Sequence, residues 1–288
     1  MRYQEDAART CAVMAWVLRV SSGDAVKREE FEQMYTAEDR LWWYLNLREQ
    51  VVAALGLDQQ PHQQPHQPLD QHAVNRQPRP RILDAGCGTG GMAARLRPYG
   101  TVIGVDLAPF AIAVCRDRRG LCHTGVASIT ALPFPDRAFD LAVSLDVISD
   151  AGTGNDALAL AELARVLRPG GRLCLNLPAF RWLAGEHDVA VETKRRYTRG
   201  EVLAMLARAG FIPQRLTYWN TLLLPAVAAT RVLSRLRGRN ADTAHSDTTV
   251  PAAPINNALR AITRLEGALL RRTDLPIGSS LLCVARRT

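Results

Sequence analysis

The chain has 288 residues, enough for one α/β domain with additions or for two small domains. Its 47% apolar and 22% charged residues allow a substantial core and exclude global disorder, collagen and coiled coil. The net charge of +8 is uneven, because residues 194–288 carry 16 basic and 5 acidic side chains, a net +11, which leaves −3 for residues 1–193. Attraction to anionic partners is therefore expected in the C-terminal third.

The cysteines indicate a reducing compartment and no metal site, because no two of them have CxxC spacing and several lie in apolar runs. They are Cys11, Cys87, Cys115, Cys122, Cys174 and Cys283. The apolar stretch 11–20 has no basic flank and is not a convincing signal peptide, and no stretch has the length of a membrane span. We expect a cytoplasmic protein, peripheral at the inner membrane face if its basic segment binds lipid.

Residues 1–57 are predicted to be an N-terminal helical segment, with helical sequence from Asp24 to Leu57 that includes the aromatic cluster 41–44. Residues 58–80 are rich in Gln, Pro and His and are predicted to be a disordered linker. We expect no metal at its three histidines, because a linker offers no fixed scaffold for ligands. These are His62, His66 and His72.

From residue 81 onward, short apolar runs alternate with helical patterns, which predicts a parallel sheet built from βαβ units. Strands are predicted near residues 81–85, 101–106, 121–126, 139–145, 171–177 and 211–219. Helices are predicted near residues 90–97, 109–118, 155–167 and 199–209. A helical insertion at about 221–276, with helices at 222–236 and 255–272, precedes a last strand at 279–285.

A glycine-rich turn follows the first of these strands, in the sequence Arg-Ile-Leu-Asp-Ala-Gly-Cys-Gly-Thr-Gly-Gly at 81–91. Gly86, Gly88 and Gly90 let the backbone turn tightly and approach a ligand closely. Asp106 ends the second strand, where a carboxylate can accept hydrogen bonds from ribose hydroxyls. The spacing also fits a dinucleotide, but Asp84 would face a pyrophosphate unfavourably and favours a ligand with an ammonium group.

Further motifs follow in order along the chain. They are Gly-Val-Asp-Leu at 104–107, Ala-Leu-Pro-Phe-Pro-Asp at 131–136, Phe-Asp at 139–140, Ala-Arg-Val-Leu-Arg-Pro-Gly-Gly at 164–171 and Ala-Gly-Phe at 209–211. With Ile-Leu-Asp-Ala-Gly-Cys-Gly-Thr-Gly at 82–90, they resemble the class I S-adenosylmethionine-dependent methyltransferases over residues 81–219. The resemblance implies a Rossmann-like three-layer α/β/α sandwich in residues 81–288, with a seven-stranded, mostly parallel sheet and an antiparallel last strand.

The resemblance also implies S-adenosylmethionine as the cofactor. The three loop glycines would line its methionine and ribose portions, Asp84 would support the amino group, Asp106 would bind the ribose, and Leu107 would flank the adenine. Many relatives carry an acidic residue near the adenine where this chain has Ser128. The expected cofactor-binding residues are Asp84, Ala85, Gly86, Cys87, Gly88, Gly90, Asp106, Leu107, Ser128, Ile129 and Asp146.

The acceptor is expected beyond the carboxyl end of the fifth strand, where ligands bind in open α/β sheets. Residues 176–198 are similar to a subset of bacterial methyltransferases with a His-Asp pair followed by Arg-Arg-Tyr, although Glu192-Thr193 stands where that subset has Gly-His. The expected catalytic residues are His187, Asp146 and Tyr197, and the expected acceptor contacts are Trp43, Arg196 and Trp219. The alternatives are core roles for the tryptophans, a loop cap at Asp146, and a solvated arginine face beside a helix capping box.

These features predict methyl transfer to a small-molecule or lipid-linked acceptor. Oxygen is the expected methylated atom, and nitrogen and carbon are the alternatives. The N-terminal helical segment would be a lid over the acceptor pocket. Residues 221–239 combine an apolar run with arginines, which fits peripheral membrane contact, packing on the domain or a dimer contact. No nucleic-acid partner is expected. The rival functions are an NAD-dependent oxidoreductase and a non-catalytic S-adenosylmethionine-binding module.

Overall fold

The structure is a computed structural model that describes residues 24–59, 79–149, 155–184, 195–236 and 249–288. His187 and most of the predicted linker, including its three histidines, lie outside these ranges. Among the described residues, no helix has both the length and the apolar character needed to cross a bilayer.

Strands and helices alternate through most of the chain, as the sequence pattern predicts. The strands are β1 Arg81–Ala85, β2 Thr101–Asp106, β3 Thr124–Val126, β4 Phe139–Leu145, β5 Leu167–Pro178, β6 Phe211–Trp219 and β7 Ser280–Arg287. The helices are α1 Asp24–Glu38, α2 Trp42–Ala54, α3 Gly91–Leu96, α4 Pro109–Arg119, α5 Asp156–Val166, α6 Arg199–Arg208, α7 Leu224–Leu236 and α8 Ala253–Leu270. Short 3-10 turns lie at Leu57–Gln59, Arg97–Tyr99 and Arg181–Leu183.

The strands form one seven-stranded sheet in the order β3-β2-β1-β4-β5-β7-β6. Strand β7 runs antiparallel to both β5 and β6, and the other neighbouring pairs are parallel. The carboxyl ends of β1, β2, β4, β5 and β6 therefore meet at one edge of the sheet, where open α/β sheets bind their ligands. The predicted fold class, including the antiparallel last strand, is confirmed.

Two hydrophobic clusters, one on each face of the sheet, make this a three-layer sandwich. Side chains alternate between the faces, so Leu83 of β1 belongs to one cluster and Ile82 to the other. Helices α5 and α6 cover the first face, and α2, α3, α4 and the end of α8 cover the second. Of the five cysteines that the structure describes, four are buried and Cys122 is exposed.

Strand β7 begins one residue later than the sequence predicts and continues to Arg287, and two other strands begin further from their predicted starts. Strand β3 starts at Thr124 rather than at residue 121, because Gly120 ends α4 in a left-handed conformation and the Leu121 N–H donates back to the Cys115 carbonyl. Strand β5 starts already at Leu167, which pairs with Phe139 ahead of an irregularity in the register. A Pro-Gly-Gly sequence is typical of a turn, so its place within a strand depends on pairing that local sequence does not reveal.

Candidate functional site

The glycine turn lies at the carboxyl edge of the sheet, between β1 and α3. Gly86, Gly88 and Gly90 have φ values of +84°, +52° and +87°, which L side chains rarely adopt. The Gly86 N–H donates to the Val105 carbonyl at 2.8 Å, which ties the turn to β2. A Cβ at Gly86 would clash with a methyl carbon of Val147. The sequence therefore forms this turn because glycine alone fits its backbone and its packing.

Asp106, the predicted ribose ligand, holds the same turn in place. One carboxylate oxygen accepts the Gly88 N–H at 2.8 Å, and the other accepts the Ala108 N–H at 2.9 Å. A carboxylate oxygen has a second lone pair, so both oxygens can still accept from ribose hydroxyls. Leu107 lies half-buried beside it at the end of β2.

Asp84 is a buried carboxylate with an unused oxygen. It is 2% exposed, and its Oδ2 has no hydrogen-bond partner among the described residues. Burial, followed by the negative charges of Glu38 and Asp106, raises the pKa of Asp84 to about 8. An unpartnered carboxylate in such a place favours a cation, which is what the amino group of a bound methionine portion would supply.

Glu38, at the end of α1, is a second buried carboxylate, and the sequence analysis missed it. It is 7% exposed, accepts the Thr89 hydroxyl at 2.5 Å and pairs with Arg119 at 2.7 Å. Burial raises its pKa despite the hydrogen bond and the arginine. A Cβ at Gly91 would lie 2.8 Å from the Glu38 carboxylate, so this side chain sits directly on the start of α3. No local pattern predicts this contact, since Thr89 lies 51 residues away along the chain.

Helix α1 lies over the glycine turn and the start of α4. The Met34 Cε would be 2.7 Å from a Cβ at Gly88, and the rings of Phe31 and Phe110 are 6.5 Å apart. Glu32 accepts two hydrogen bonds from Arg118, at 2.5 and 2.8 Å. The predicted lid segment thus contacts the candidate cofactor site, and its role over an acceptor stays a prediction.

Asp146 follows β4 and is held by a chain of side-chain hydrogen bonds. Its φ of +61° is unusual for a residue other than glycine and turns the chain sharply at the sheet edge. The Trp219 Nε1–H donates to Asn176 Oδ1 at 2.7 Å, and the Asn176 amide donates to Asp146 Oδ2 at 2.7 Å. Burial raises the pKa of Asp146 to about 6, while the Asn176 bond and the charge of Arg196 oppose this. Asn176 is a further site residue that the sequence analysis did not single out.

The remaining cofactor candidates line the turn and the predicted adenine end. Cys87 is buried with its sulfur 4.0 Å from that of Cys115, and Ala85 is buried in the core. The Ser128 and Thr130 hydroxyls are 2.7 Å apart, so a neighbour already engages Ser128. Ile129 is 5% exposed, which leaves its backbone rather than its side chain for an adenine contact.

The acceptor candidates divide between the core and the site edge. Tyr197 is fully buried and its hydroxyl donates to Asp156 at 2.9 Å, while Arg196 donates to the Ala179 carbonyl at 2.9 Å. Trp219 is also fully buried and stacks on the half-buried Trp43, with ring centroids 6.1 Å apart. The capping box predicted beside them, Thr198 with Glu201, is confirmed. Contact with an acceptor stays a prediction for all of these residues.

The charges at this edge fit S-adenosylmethionine. Asp84, Glu38 and Asp146 are all buried or partly buried carboxyl groups, and Oδ2 of Asp84 lacks a hydrogen-bond partner in the part of the chain that the structure describes. The ligand is cationic at its sulfur and amino groups, so a carboxylate-rich site complements it. Asp106 provides acceptors for a ribose beside the glycine turn.

The comparisons with known proteins agree with this site. Residues 83–175 match the family model described as a methyltransferase domain. A malonyl-[acyl-carrier protein] O-methyltransferase of Salmonella typhimurium is 35% identical over 132 residues, which are 43% of this chain and 51% of that protein. A demethylmenaquinone methyltransferase of Thermus thermophilus is 43% identical over 108 residues, or 35% of this chain and 48% of that protein.

A solved structure of an S-adenosylmethionine-dependent methyltransferase from Thermotoga maritima superposes with a TM-score of 0.53. It covers 92% of this chain and 99% of its own, at 14% identity, so the likeness concerns the fold alone. Residues 83–175 of this chain are a methyltransferase domain, and its cofactor is S-adenosylmethionine. The methyltransferase domain and the cofactor predicted from the sequence are confirmed. The chain spans about half the length of the two curated relatives, and their acceptors are properties of those proteins.

Proposed function

We propose that the protein transfers a methyl group from S-adenosylmethionine to the hydroxyl or carboxyl oxygen of a small or lipid-linked acceptor. The observation that carries the proposal is the position of Asp146 at the carboxyl edge of the sheet, where the Asn176 amide holds its carboxylate at 2.7 Å. Its pKa of about 6 leaves it ionised at neutral pH and basic enough to accept a proton.

The cofactor, when bound, supplies a methyl group that its sulfonium already activates. The chain has to hold the acceptor in line, exclude water and take up the acceptor's proton where the acceptor is a hydroxyl. Asp146 is the group we assign to the proton, and Asn176 and Trp219 keep its carboxylate in one orientation. Asp84 and Glu38 support binding of the cationic ligand, and Asp106 supports binding of its ribose.

The acceptor class is supported by two independent considerations. The two relatives described above are named for a malonyl group on an acyl carrier protein and for demethylmenaquinone, whereas another relative, 31% identical over 141 residues, is named as a probable tRNA methyltransferase. The net charge of +11 in residues 194–288 favours an anionic acceptor or surface. Both considerations favour a lipid-linked or carrier-linked molecule over a free amine.

Transfer of a tritiated methyl group to defined acceptors tests the proposal. A phenol, a long-chain carboxylic acid and a prenylated hydroquinone would be compared with a primary amine. Oxygen acceptors should be methylated, and for the hydroxyl acceptors the rate should rise as the pH passes about 6, because Asp146 must be ionised to accept their proton. At saturating S-adenosylmethionine, Asp146→Asn should lose most of this rate, because an amide cannot accept the proton. Asp117→Asn, at an aspartate whose side chain is 68% exposed, is the matched control.

Two outcomes would contradict the proposal. Methylation of the amine alone, with Asp146→Asn as active as the wild type, would remove the assigned base. Tight binding of S-adenosylmethionine without transfer to any acceptor would favour the non-catalytic module, and binding of NAD would favour the oxidoreductase.

A further inference from the structure

Arg48, on α2, has a hydrogen-bond donor group that the protein does not use. Its side chain is 13% exposed. Nη1 donates to Asp39 at 3.0 Å and lies 3.4 Å from the Gly91 carbonyl oxygen, and Nε lies 3.4 Å from the Tyr44 carbonyl oxygen. Nη2 is buried and has no hydrogen-bond partner among the described residues. A buried guanidinium nitrogen without a partner costs free energy, which a bound anion would recover.

The fold places this guanidinium beside the glycine turn. Gly91 begins α3 directly after the turn, and the contact of Arg48 Nη1 with its carbonyl oxygen holds the end of the side chain there. Glu38 also lies on Gly91, and the positive charge of Arg48 opposes the rise in the pKa of Glu38. The negative charge of Glu38 in turn helps to raise the pKa of Asp84. Arg48 and Asp84 are therefore both near Glu38, at the same end of the cofactor site.

The other donors around the turn already have partners. Four backbone N–H groups donate within the protein, namely those of Gly86, Cys87, Gly88 and Gly90. The Thr89 hydroxyl donates to Glu38. Arg119, a second arginine at this site, is engaged at all three nitrogens by the Thr89 carbonyl, Asp39 and Glu38. Of these donors, Arg48 Nη2 alone is left without a partner in the part of the chain that the structure describes.

The amino-acid portion of S-adenosylmethionine carries a carboxylate next to its amino group. Asp84 and Glu38 complement the amino group and the sulfonium, but their negative charges would repel a carboxylate. A carboxylate at this end of the site therefore needs a cationic donor close by. A guanidinium binds carboxylates through directed, charge-assisted hydrogen bonds, so the unused nitrogen of Arg48 has the charge and the donors that this part of the ligand requires.

We propose that Arg48 binds the carboxylate of S-adenosylmethionine through Nη2. Arg48 and Asp84 together would hold the two charged groups of the amino-acid portion, and Arg48 would make the site select ligands that retain the carboxylate. The sequence analysis did not single out Arg48, because it lies outside the motifs that follow β1. The inference deepens the proposed function and rests on its cofactor site, but it involves neither the acceptor nor Asp146.

Calorimetric titration with S-adenosylmethionine and with decarboxylated S-adenosylmethionine tests the inference, because the two ligands differ in the carboxylate. Arg48→Gln should bind S-adenosylmethionine at least tenfold more weakly than the wild type does, since a charge-assisted hydrogen bond is lost. Its affinity for the decarboxylated ligand should not fall, because that ligand has no group for Arg48 to bind. Arg48→Lys keeps the charge without the fork of donors and should show the same selective loss to a smaller extent. It decides the question if Arg48→Gln fails to fold.

Two other arginines provide matched controls. Arg116→Gln, at a side chain that is 65% exposed on α4, should bind both ligands as the wild type does. Arg119→Gln removes contacts to Thr89 and Glu38 and should weaken binding of both ligands to a similar extent. An equal loss of both ligands in a folded Arg48 variant, or no loss of either, would overturn the inference.

Methyl-transfer kinetics separate this inference from the proposed function. Arg48→Gln should raise the KM for S-adenosylmethionine and leave kcat near the wild-type value, whereas the loss in Asp146→Asn persists at saturating cofactor. Selective loss of S-adenosylmethionine binding in an enzyme that methylates no oxygen acceptor would support the role of Arg48 and contradict the proposed function. Methylation of oxygen acceptors, with Arg48 variants that do not distinguish the two ligands, would do the reverse.

Discussion

Replacing Asp84 by asparagine should stabilise the protein and weaken cofactor binding at the same time. The carboxyl group is 2% exposed, and its pKa is raised from 3.8 to about 8 by burial and by the charges of Glu38 and Asp106. At pH 7 the unfolded chain is ionised at this position and the folded protein is protonated. Ionisation of this carboxyl group in the unfolded chain alone favours unfolding at pH 7. Because pH 7 lies about three units above the ordinary pKa of 3.8, the effect lowers the free energy of unfolding by roughly 4 kcal/mol.

The raised pKa of Asp84 in the folded protein determines how the stability gain in Asp84→Asn depends on pH. Because the folded pKa is raised, the wild type loses stability from this group as the pH rises above about 4, until the folded protein also ionises near pH 8. An asparagine does not titrate, so the gain in Asp84→Asn should be small at pH 4, grow with pH and level off above pH 8. At pH 7 it should raise the melting temperature by several degrees.

Asp84→Asn should weaken cofactor binding although it stabilises the folded protein. A cationic amino group beside Asp84 favours the ionised carboxylate, so binding releases a proton and wild-type affinity should rise up to tenfold per pH unit below pH 8. Asp84→Asn should bind more weakly and without this dependence. Calorimetric titration with S-adenosylmethionine in two buffers of different ionisation enthalpy measures the released proton directly.

Thermal unfolding of the same variant at pH 4 and pH 8 measures the stability change. Asp117→Asn, at an exposed position on α4, serves as the control for general charge effects. A variant that unfolds more easily than the wild type at pH 8 yet keeps full cofactor affinity would refute the reasoning, since Asp84 would then be a structural group with a partner in the core.

Three further changes test other parts of the site. Asp106→Ala should weaken S-adenosylmethionine binding in calorimetry by about 1–3 kcal/mol, because it removes the ribose acceptor and the Gly88 N–H bond. Gly88→Val should abolish binding, since a β-branched residue does not tolerate the φ of +52°; unchanged affinity would show that the turn does not hold the ligand. Trp219→Phe removes the donor to Asn176 and should slow methyl transfer and alter its pH profile near the Asp146 pKa with cofactor affinity unchanged, whereas an unaltered profile would separate Trp219 from Asp146.

The sequence predicts four strands of the sheet well, because each of them is an apolar run with a turn signal at its end. Residues 81–85, 101–106, 139–145 and 211–219 have the predicted bounds. The position of Asp106 at the end of β2 was also predicted, since it depends on the regular length of one βαβ unit. The start of β5 was not predicted, because a Pro-Gly-Gly sequence continues as a strand only through its pairing with β4.

The parts of the site that depend on distant segments could not be predicted in this way. Glu38 and Thr89 meet only after α1 packs across the glycine turn. Asn176 becomes a site residue only because Trp219, on a strand that follows much later, orients its amide. The apolar pattern of α8 indicates an amphipathic helix, but the sequence does not show which side faces outward. Buried partners of Asn256 and Glu266 decide that, and they lie on α2 and after β6.

Calorimetric titration of the purified protein with S-adenosylmethionine, S-adenosylhomocysteine, NAD and NADP, with Asp106→Ala in parallel, tests the central claim most directly. We predict micromolar binding of the two adenosyl ligands to the wild type, binding weakened at least tenfold in the variant, and no binding of NAD or NADP. Binding of NAD in preference, or adenosyl binding that Asp106→Ala leaves untouched, would contradict the assignment of this site.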